Sequence, residues 1–329
     1  MKIGIVINET WAFFDDIYNE LKQHHTVNVF KPRKIEFPFF RERLQKRQFE
    51  HQFGDFLSNH EVVFFEWASE LLSIATQLPK ITKIVTRLHR YELYQWANQI
   101  DWSKVDQIIL VSEAKRREFN SRFPGFVEKI RVFPEAVNPE KYPYEPRVFQ
   151  KNIGILGHLT PRKRVYELIL TFAELELDKK GYRLHIGGGA HPRFLDYYDA
   201  VINLPERLGI KNNITFYGHV QNPMEFYQKV DIFISNSYSE GLQVSPMEAI
   251  VSGCYCLAHQ WPGAEELLPE ENLYFTDKDL GNKILKYESL SIDEKQQKQK
   301  NIRNRVIEKC NSNLISEGIR KSIEETVFQ

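Results

Sequence analysis

Short β-branched, apolar runs recur along this 329-residue chain, each followed by a longer stretch with helical spacing. No other feature restricts the fold as much. In the first half the runs are 3–7, 26–30, 62–65, 83–88, 107–111 and 129–133; in the second they are 152–156, 183–186, 213–216, 231–235, 255–258 and 273–275. Apolar runs that do not alternate strictly with polar residues read as strands buried on both faces. Helical segments between them build right-handed βαβ units, so the expected class is α/β with two parallel sheets. Pro139, Pro143 and Pro146 crowd a polar stretch between the halves and fit an interdomain linker. At roughly 150 residues per domain the length agrees with two domains. Two doubly wound, Rossmann-like domains facing each other place the carboxyl ends of both sheets around one cleft, the expected site.

Composition excludes several classes. With 42% hydrophobic residues, the chain has too much apolar content to be disordered in bulk. Lys plus Arg equals Asp plus Glu at 44 each, so the electrostatic footprint of a nucleic-acid partner is missing. Cys254, Cys256 and Cys310 supply neither a disulfide framework nor zinc-ligand spacing, and a reducing cytoplasm is the expected compartment. The first residues turn polar too early for a signal peptide, and no apolar stretch approaches 18 residues. Charge does cluster over residues 31–50, where Lys31, Arg33, Lys34, Arg41, Arg43, Lys46 and Arg47 are interleaved with Phe37, Phe39, Phe40 and Phe49. That stretch reads either as a solvated face or as a peripheral contact with an anionic membrane or a charged acceptor.

The most informative motif runs from Ser235 to Ala249. A strand ends at Ser235, a polar loop follows, and a helix is expected to open at Pro246. Ser245 with Glu248 three residues on has capping-box spacing, which would account for Glu248 without function. It does not account for Glu240, in the loop beyond the strand. The amides of Gly241, Leu242 and Gln243 precede the expected helix, where the dipole favours a phosphate. After another strand, Gly157-His-Leu-Thr-Pro-Arg-Lys163 and Arg164 form a basic turn able to neutralise a diphosphate, or simply a solvated one. His89 closes the fourth strand, as a cleft-facing group or a structural histidine. Glu66 and Trp67 end the third. Gly187-Gly188-Gly189 lacks a dinucleotide fingerprint, since position 192 is proline, and reads as a tight strand-to-helix turn near the sugar.

Together these motifs resemble a known family. Glu240 and Glu248 have the Glu-x7-Glu spacing of retaining glycosyltransferases, and the flanking Ser-Glu-Gly and Pro-Met-Glu-Ala resemble glycosyltransferase family 4 (glycosyl transferases group 1), whose fold is GT-B. Val111-Ser-Glu-Ala, Ile130 to Asn138, Ile155 to Lys163, Tyr217-Gly-His-Val and Val230 to Ser235 resemble further family blocks in the same order. The resemblance is dense from about 105 to 280 and thin before that.

It implies an acceptor domain over 1–145, a nucleotide-sugar domain over 146–305, and a C-terminal helix at 306–329 returning toward the first domain. It implies His89, Glu240 and Lys163 as catalytic residues, with Glu248, Gly241, Leu242, Gln243, Gly157, His158 and Arg162 binding the donor. Glu248 would hold the ribose and Glu240 the donor sugar. The acceptor would be a saccharide, a lipid-linked molecule or another hydroxyl compound. No cofactor and no metal are expected, because protein cations meet the phosphate charge. Two departures stand out: His158 replaces the family's more usual arginine, and the loop Asn8–Ala12 lacks its glycine pair. On those departures rests one alternative, a non-catalytic nucleotide-sugar-binding partner subunit. A GT-B nucleotide-sugar epimerase is another.

Overall fold

The computed structural model describes residues 1–32, 41–144, 146 and 148–328, without the side chains of 41–43. It divides into two compact units, Met1–Glu135 with Ser312–Gln329, and Ala136–Asn311.

In the first unit the strands are β1 (Lys2–Val6), β2 (Thr26–Val29), β3 (Val62–Glu66), β4 (Lys83–Leu88), β5 (Gln107–Leu110) and β6 (Ile130–Val132). Between them run α1 (Asp15–His24), α2 (Arg41–Ser58), α3 (Glu70–Gln77), α4 (Tyr91–Gln95) and α5 (Glu113–Arg122). The second unit holds β7 (Asn152–Leu156), β8 (Arg183–Gly187), β9 (Ile214–Gly218), β10 (Ile232–Ser235), β11 (Tyr255–His259) and β12 (Leu273–Tyr274). Its helices are α6 (Val165–Glu174), α7 (Leu195–Arg207), α8 (Pro223–Tyr227), α9 (Val244–Val251), α10 (Ala264–Leu267), α11 (Asp277–Glu288) and α12 (Ile292–Cys310). The last helix, α13 (Ser312–Phe328), belongs to the first unit.

Every strand pair is parallel, and the orders are β2-β1-β3-β4-β5-β6 and β12-β11-β10-β7-β8-β9. Each of the twelve expected strands is present within one or two residues of its expected ends. All five residues of β3 and all four of β5 and β10 are buried, as strands covered by helices on both faces must be. In the first unit the order reverses between β1 and β3; in the second it reverses between β7 and β10. At such a switch point the connections leave in opposite directions, opening a crevice outside the carboxyl ends of the strands. The loops bordering it are 7–14 and 67–69 in the first unit, and 157–164 and 236–243 in the second.

The first boundary falls after Glu135 rather than at 145/146. Val137 bridges Asn311, and the Tyr142 hydroxyl donates to Glu248, so this stretch is tied to the second unit. Residues 145 and 147, at the expected boundary, lie outside the described part. The last helix likewise separates at Ser312 rather than 306. Arg320 pairs with Glu20 at 2.8 Å and Glu324 with His25 at 2.9 Å, fastening α13 to α1.

Of the basic, aromatic stretch 31–50, residues 33–40 and the side chains of 41–43 lie outside the described residues. Phe49 packs inward, its ring 5.9 Å from Phe30 and 5.4 Å from Phe53. Among the described residues, no helix is long and apolar enough to cross a membrane.

Candidate functional site

In the second unit, the loops at the switch point bring together Lys163, Arg162 and Glu240. Lys163 Nζ lies 2.7 Å from Glu240 Oε1, and an Arg162 guanidinium nitrogen lies 2.5 Å from Oε2. The Ser237 hydroxyl donates a third bond, 2.6 Å, to Oε1. Burial pushes the Glu240 carboxyl up, but the charges of Lys163 and Arg162 outweigh it and hold the group at about 2. Two cations therefore share one buried carboxylate at the carboxyl edge of the sheet. Arg164 points elsewhere. It adopts a left-handed conformation (φ 50°) and pairs with Asp277 at 3.3 Å. Arg162, then, is the second cation beside Lys163.

His158 lies on the same loop, its ring 6.1 Å from that of His191. Burial, then the neighbouring His191, His219 and Lys163, push its pKa below the ordinary imidazole value, so at neutral pH it is an uncharged hydrogen-bonding group. Gly157 sits beside it with φ 151°. The glycine triplet has a packing reason: a Cβ on Gly188 would fall 1.9 Å from the Gly157 carbonyl oxygen, and the Gly188 amide donates to Gly218. Three successive loops thus close on one another through glycine backbone.

Helix α9 starts at Val244, behind Gln243, and its cap is not Ser245. The expected capping box is absent here because Pro246 falls in the third helical position and Ser245 is already helical; Ser291 and Glu294 form such a box at α12 instead. Glu248 is consequently free of any capping duty. Its carboxylate accepts one hydrogen bond from Tyr142 and one from Tyr227, both 2.7 Å, and burial pushes its pKa up. Gly241, Leu242 and Gln243 lie buried at the start of α9, with Gln243 Oε1 accepting from Ser235.

The first unit gathers a different group. Glu66 at the end of β3, Arg87 and His89 at the end of β4, and Glu135 after β6 form a buried quartet of two acids and two bases. Arg87 bonds Glu66 at 3.0 Å and Glu135 at 2.6 Å. His89 bonds Glu66 through Nε2 at 2.9 Å and Glu135 through Nδ1. Burial opposes protonation, yet the Glu135 charge and the bonds to both carboxylates overcome it and raise His89 to about 10. With both ring nitrogens bonded to carboxylates, His89 is held toward its protonated form, which disfavours a role as general base. Trp67 lies face to face with its ring at 3.9 Å and takes a left-handed conformation (φ 81°), which a tryptophan adopts only under constraint. Trp67 Nε1 also donates to the Thr10 carbonyl, anchoring the glycine-free loop.

Four members of these clusters escaped sequence reading: Arg87, Glu135, Tyr142 and Tyr227. Arg87 carried a signal, being a charged residue inside an apolar strand, where burial demands a partner. The tyrosines carried none.

Residues 145–308 match the family Glycosyl transferases group 1. Over 153 residues the chain is 26% identical to poly(ribitol-phosphate) alpha-N-acetylglucosaminyltransferase of Staphylococcus aureus, covering 46% of this chain and 29% of that protein. Over 203 residues it is 26% identical to alpha-monoglucosyldiacylglycerol synthase of Streptococcus pneumoniae, covering 55% of this chain and 44% of that protein. The matched part thus spans less than half the length of either relative. In fold, the chain is similar to Anabaena Alr3699/HepE, solved in complex with UDP and glucose, with a TM-score of 0.80 over 99% of this chain and 100% of that one at 16% identity. The architecture is GT-B.

Proposed function

We propose that this chain, which carries a glycosyl transferases group 1 domain over residues 145–308, is a retaining glycosyltransferase. In this reading a nucleotide-sugar donor sits on the second unit and a hydroxyl acceptor on the first. The observation that carries it is the meeting of Lys163, Arg162 and Glu240 on the two loops of one switch point. Breaking the bond from the anomeric carbon to phosphate leaves charge on the diphosphate, and preorganised cations stabilise that charge without having to reorganise. Lys163 and Arg162 take this role, with the Gly241, Leu242 and Gln243 backbone ahead of α9 and the Gly157–His158 turn beside them. Glu248 holds the ribose hydroxyls. Glu240, relieved of its cations by the diphosphate, turns to the donor sugar.

The acceptor oxygen bonds the anomeric carbon from the face the diphosphate leaves, and its proton passes to the departing phosphate oxygen. Configuration is kept, and no metal is needed where protein cations meet the phosphate charge. His89 acts as a positioning residue, holding Trp67 and the acceptor-side loops rather than moving a proton. The likeness to an N-acetylglucosaminyltransferase and a monoglucosyldiacylglycerol synthase supports glycan or glycolipid synthesis as the setting.

A thermal-shift panel of nucleoside diphosphates and nucleotide sugars tests the donor site, because a ligand that binds the native state raises the melting temperature. One donor should stabilise the protein, lose that effect in Lys163→Ala, and release its nucleoside diphosphate faster when acceptor sugars are present. A donor that binds but never turns over would point to a binding subunit. Interconversion of the donor sugar without transfer would point to an epimerase.

A further inference from the structure

The first unit holds a cavity of about 340 Å³ that the reading above does not use. Its wall is apolar, made by Ile7, Phe30, Phe49, Leu71 and Ile74. Ile7 leaves the carboxyl end of β1, Phe30 follows β2, and Leu71 and Ile74 lie on α3, beyond β3. The cavity therefore opens on the carboxyl edge of the sheet beside its switch point, the edge where an α/β unit receives ligands. Phe30 is buried, its ring 4.8 Å from Phe53 and 5.1 Å from Phe56, so the floor is a rigid aromatic cluster. Ile7, Phe49, Leu71 and Ile74 are only half-buried. Phe49, Leu71 and Ile74 pack against the core on one side, and all four keep part of their apolar surface on the concavity, which favours an apolar occupant.

The mouth is of opposite character. Asn8 and Glu70 line it and are exposed, offering a carboxamide and a carboxylate to hydroxyl groups. Lys31, between the lining residues Phe30 and Pro32, is exposed, as is Lys46, one helical turn before Phe49 on α2. At ~30 Å³ per methylene-sized group, the volume holds roughly ten of them. That suits one alkyl chain and is too small for a helix of a partner protein. An apolar slot beneath a polar, charged rim matches an amphiphile. The geometry points to the hydrocarbon segment of an amphiphilic hydroxyl acceptor as the occupant, with its head at Asn8 and Glu70. This assignment rests on the transferase reading for the word acceptor, but not for the binding itself.

An alkyl series tests it on the full chain: methyl, hexyl and octyl glucosides, each below its micelle-forming concentration, titrated by calorimetry. Affinity should rise roughly three- to fourfold per added methylene until the slot is full, with one site per chain. Ile74→Trp and Leu71→Trp, which fill the slot from its half-buried wall, should each abolish the gain of octyl over methyl. Should one variant fold poorly, the wild-type series still decides the matter. Lys163→Ala should leave octyl glucoside binding unchanged. Equal affinity for methyl and octyl glucoside, or an octyl gain that survives both fillings, overturns the proposal. Loss of nucleotide binding with the alkyl series intact would instead strike only the transferase reading.

Discussion

Lys163 Nζ and Glu240 Oε1 lie 2.7 Å apart in a part-buried ion pair, although the two residues are separated by 77 positions in the chain. With no diphosphate present, Glu240 is the anion that these cations hold. Glu240→Gln removes that competitor, so the variant should bind nucleoside diphosphate at least as tightly as the wild type while losing most transfer. Lys163→Ala should weaken donor binding by about 1.5–3 kcal/mol, the range of a hydrogen bond to a charged group. Calorimetry with the donor identified by thermal shift checks both, and weaker diphosphate binding by Glu240→Gln would count against the competition.

The His89 quartet makes a stability prediction opposite to what a surface catalytic histidine would show. His89→Ala leaves Glu66 and Glu135 with Arg87 alone, and stripping one charge from a buried network costs about 3–5 kcal/mol. Denaturant unfolding of His89→Ala should register that loss. A variant as stable as wild type would mean the quartet contributes nothing.

The pH dependence follows from the same group. His89 is raised from 6.5 to about 10 in the folded state, so its contribution is whole below about pH 6.5 and fades as pH rises through about 10. Glu240 runs the other way. Held at about 2, it stabilises above the ordinary carboxylate value of 4.5 and loses that contribution only as pH falls toward 2. Melting temperatures between pH 6 and 10 should fall more steeply for wild type than for a His89→Ala protein.

Glu248 accepts from Tyr142 and Tyr227 rather than capping α9. Glu248→Gln should therefore weaken the nucleoside portion of donor binding while helix content stays constant by circular dichroism. Tyr142→Phe, which removes one donor to the carboxylate, should reproduce part of that defect. A nucleoside affinity untouched by both variants would remove Glu248 from the donor site.

On α2, Lys46 and Arg47 are exposed while Phe49 points into the core. If the basic stretch leans on an anionic surface, it does so by charge, with about 1 kcal/mol per cation at most before screening. Co-sedimentation with anionic vesicles should then disappear at high salt and in a variant neutralising Arg41, Arg43, Lys46 and Arg47. Salt-independent binding, or none at low salt, would leave a solvated helix.

What the sequence by itself determined was local. The strands were legible because a strand buried on both faces must be apolar along its whole length, whatever it packs against; β3 and β10 are plain examples. Lys163 and Glu240 stood out on loops after strands, and the fold brings those two together, while Glu248 stood out by its spacing from Glu240 and lies on α9. The linker boundary was not: prolines mark where helix stops, whereas the bonds of Val137 to Cys310 and Tyr142 to Glu248 decide which unit owns the segment. The capping box failed for a related reason, since Ser245 satisfies the pattern but the turn after Glu240 starts α9 two residues earlier than Pro246, at Val244. Only the tertiary structure could reveal that Arg87, His89, Glu66 and Glu135 neutralise one another, because a buried charge is defined by partners on other strands. Protonation belongs to that same level. Nothing in the residues around His89 distinguishes a base from a fixed cation until two carboxylates from β3 and the chain beyond β6 close on its ring.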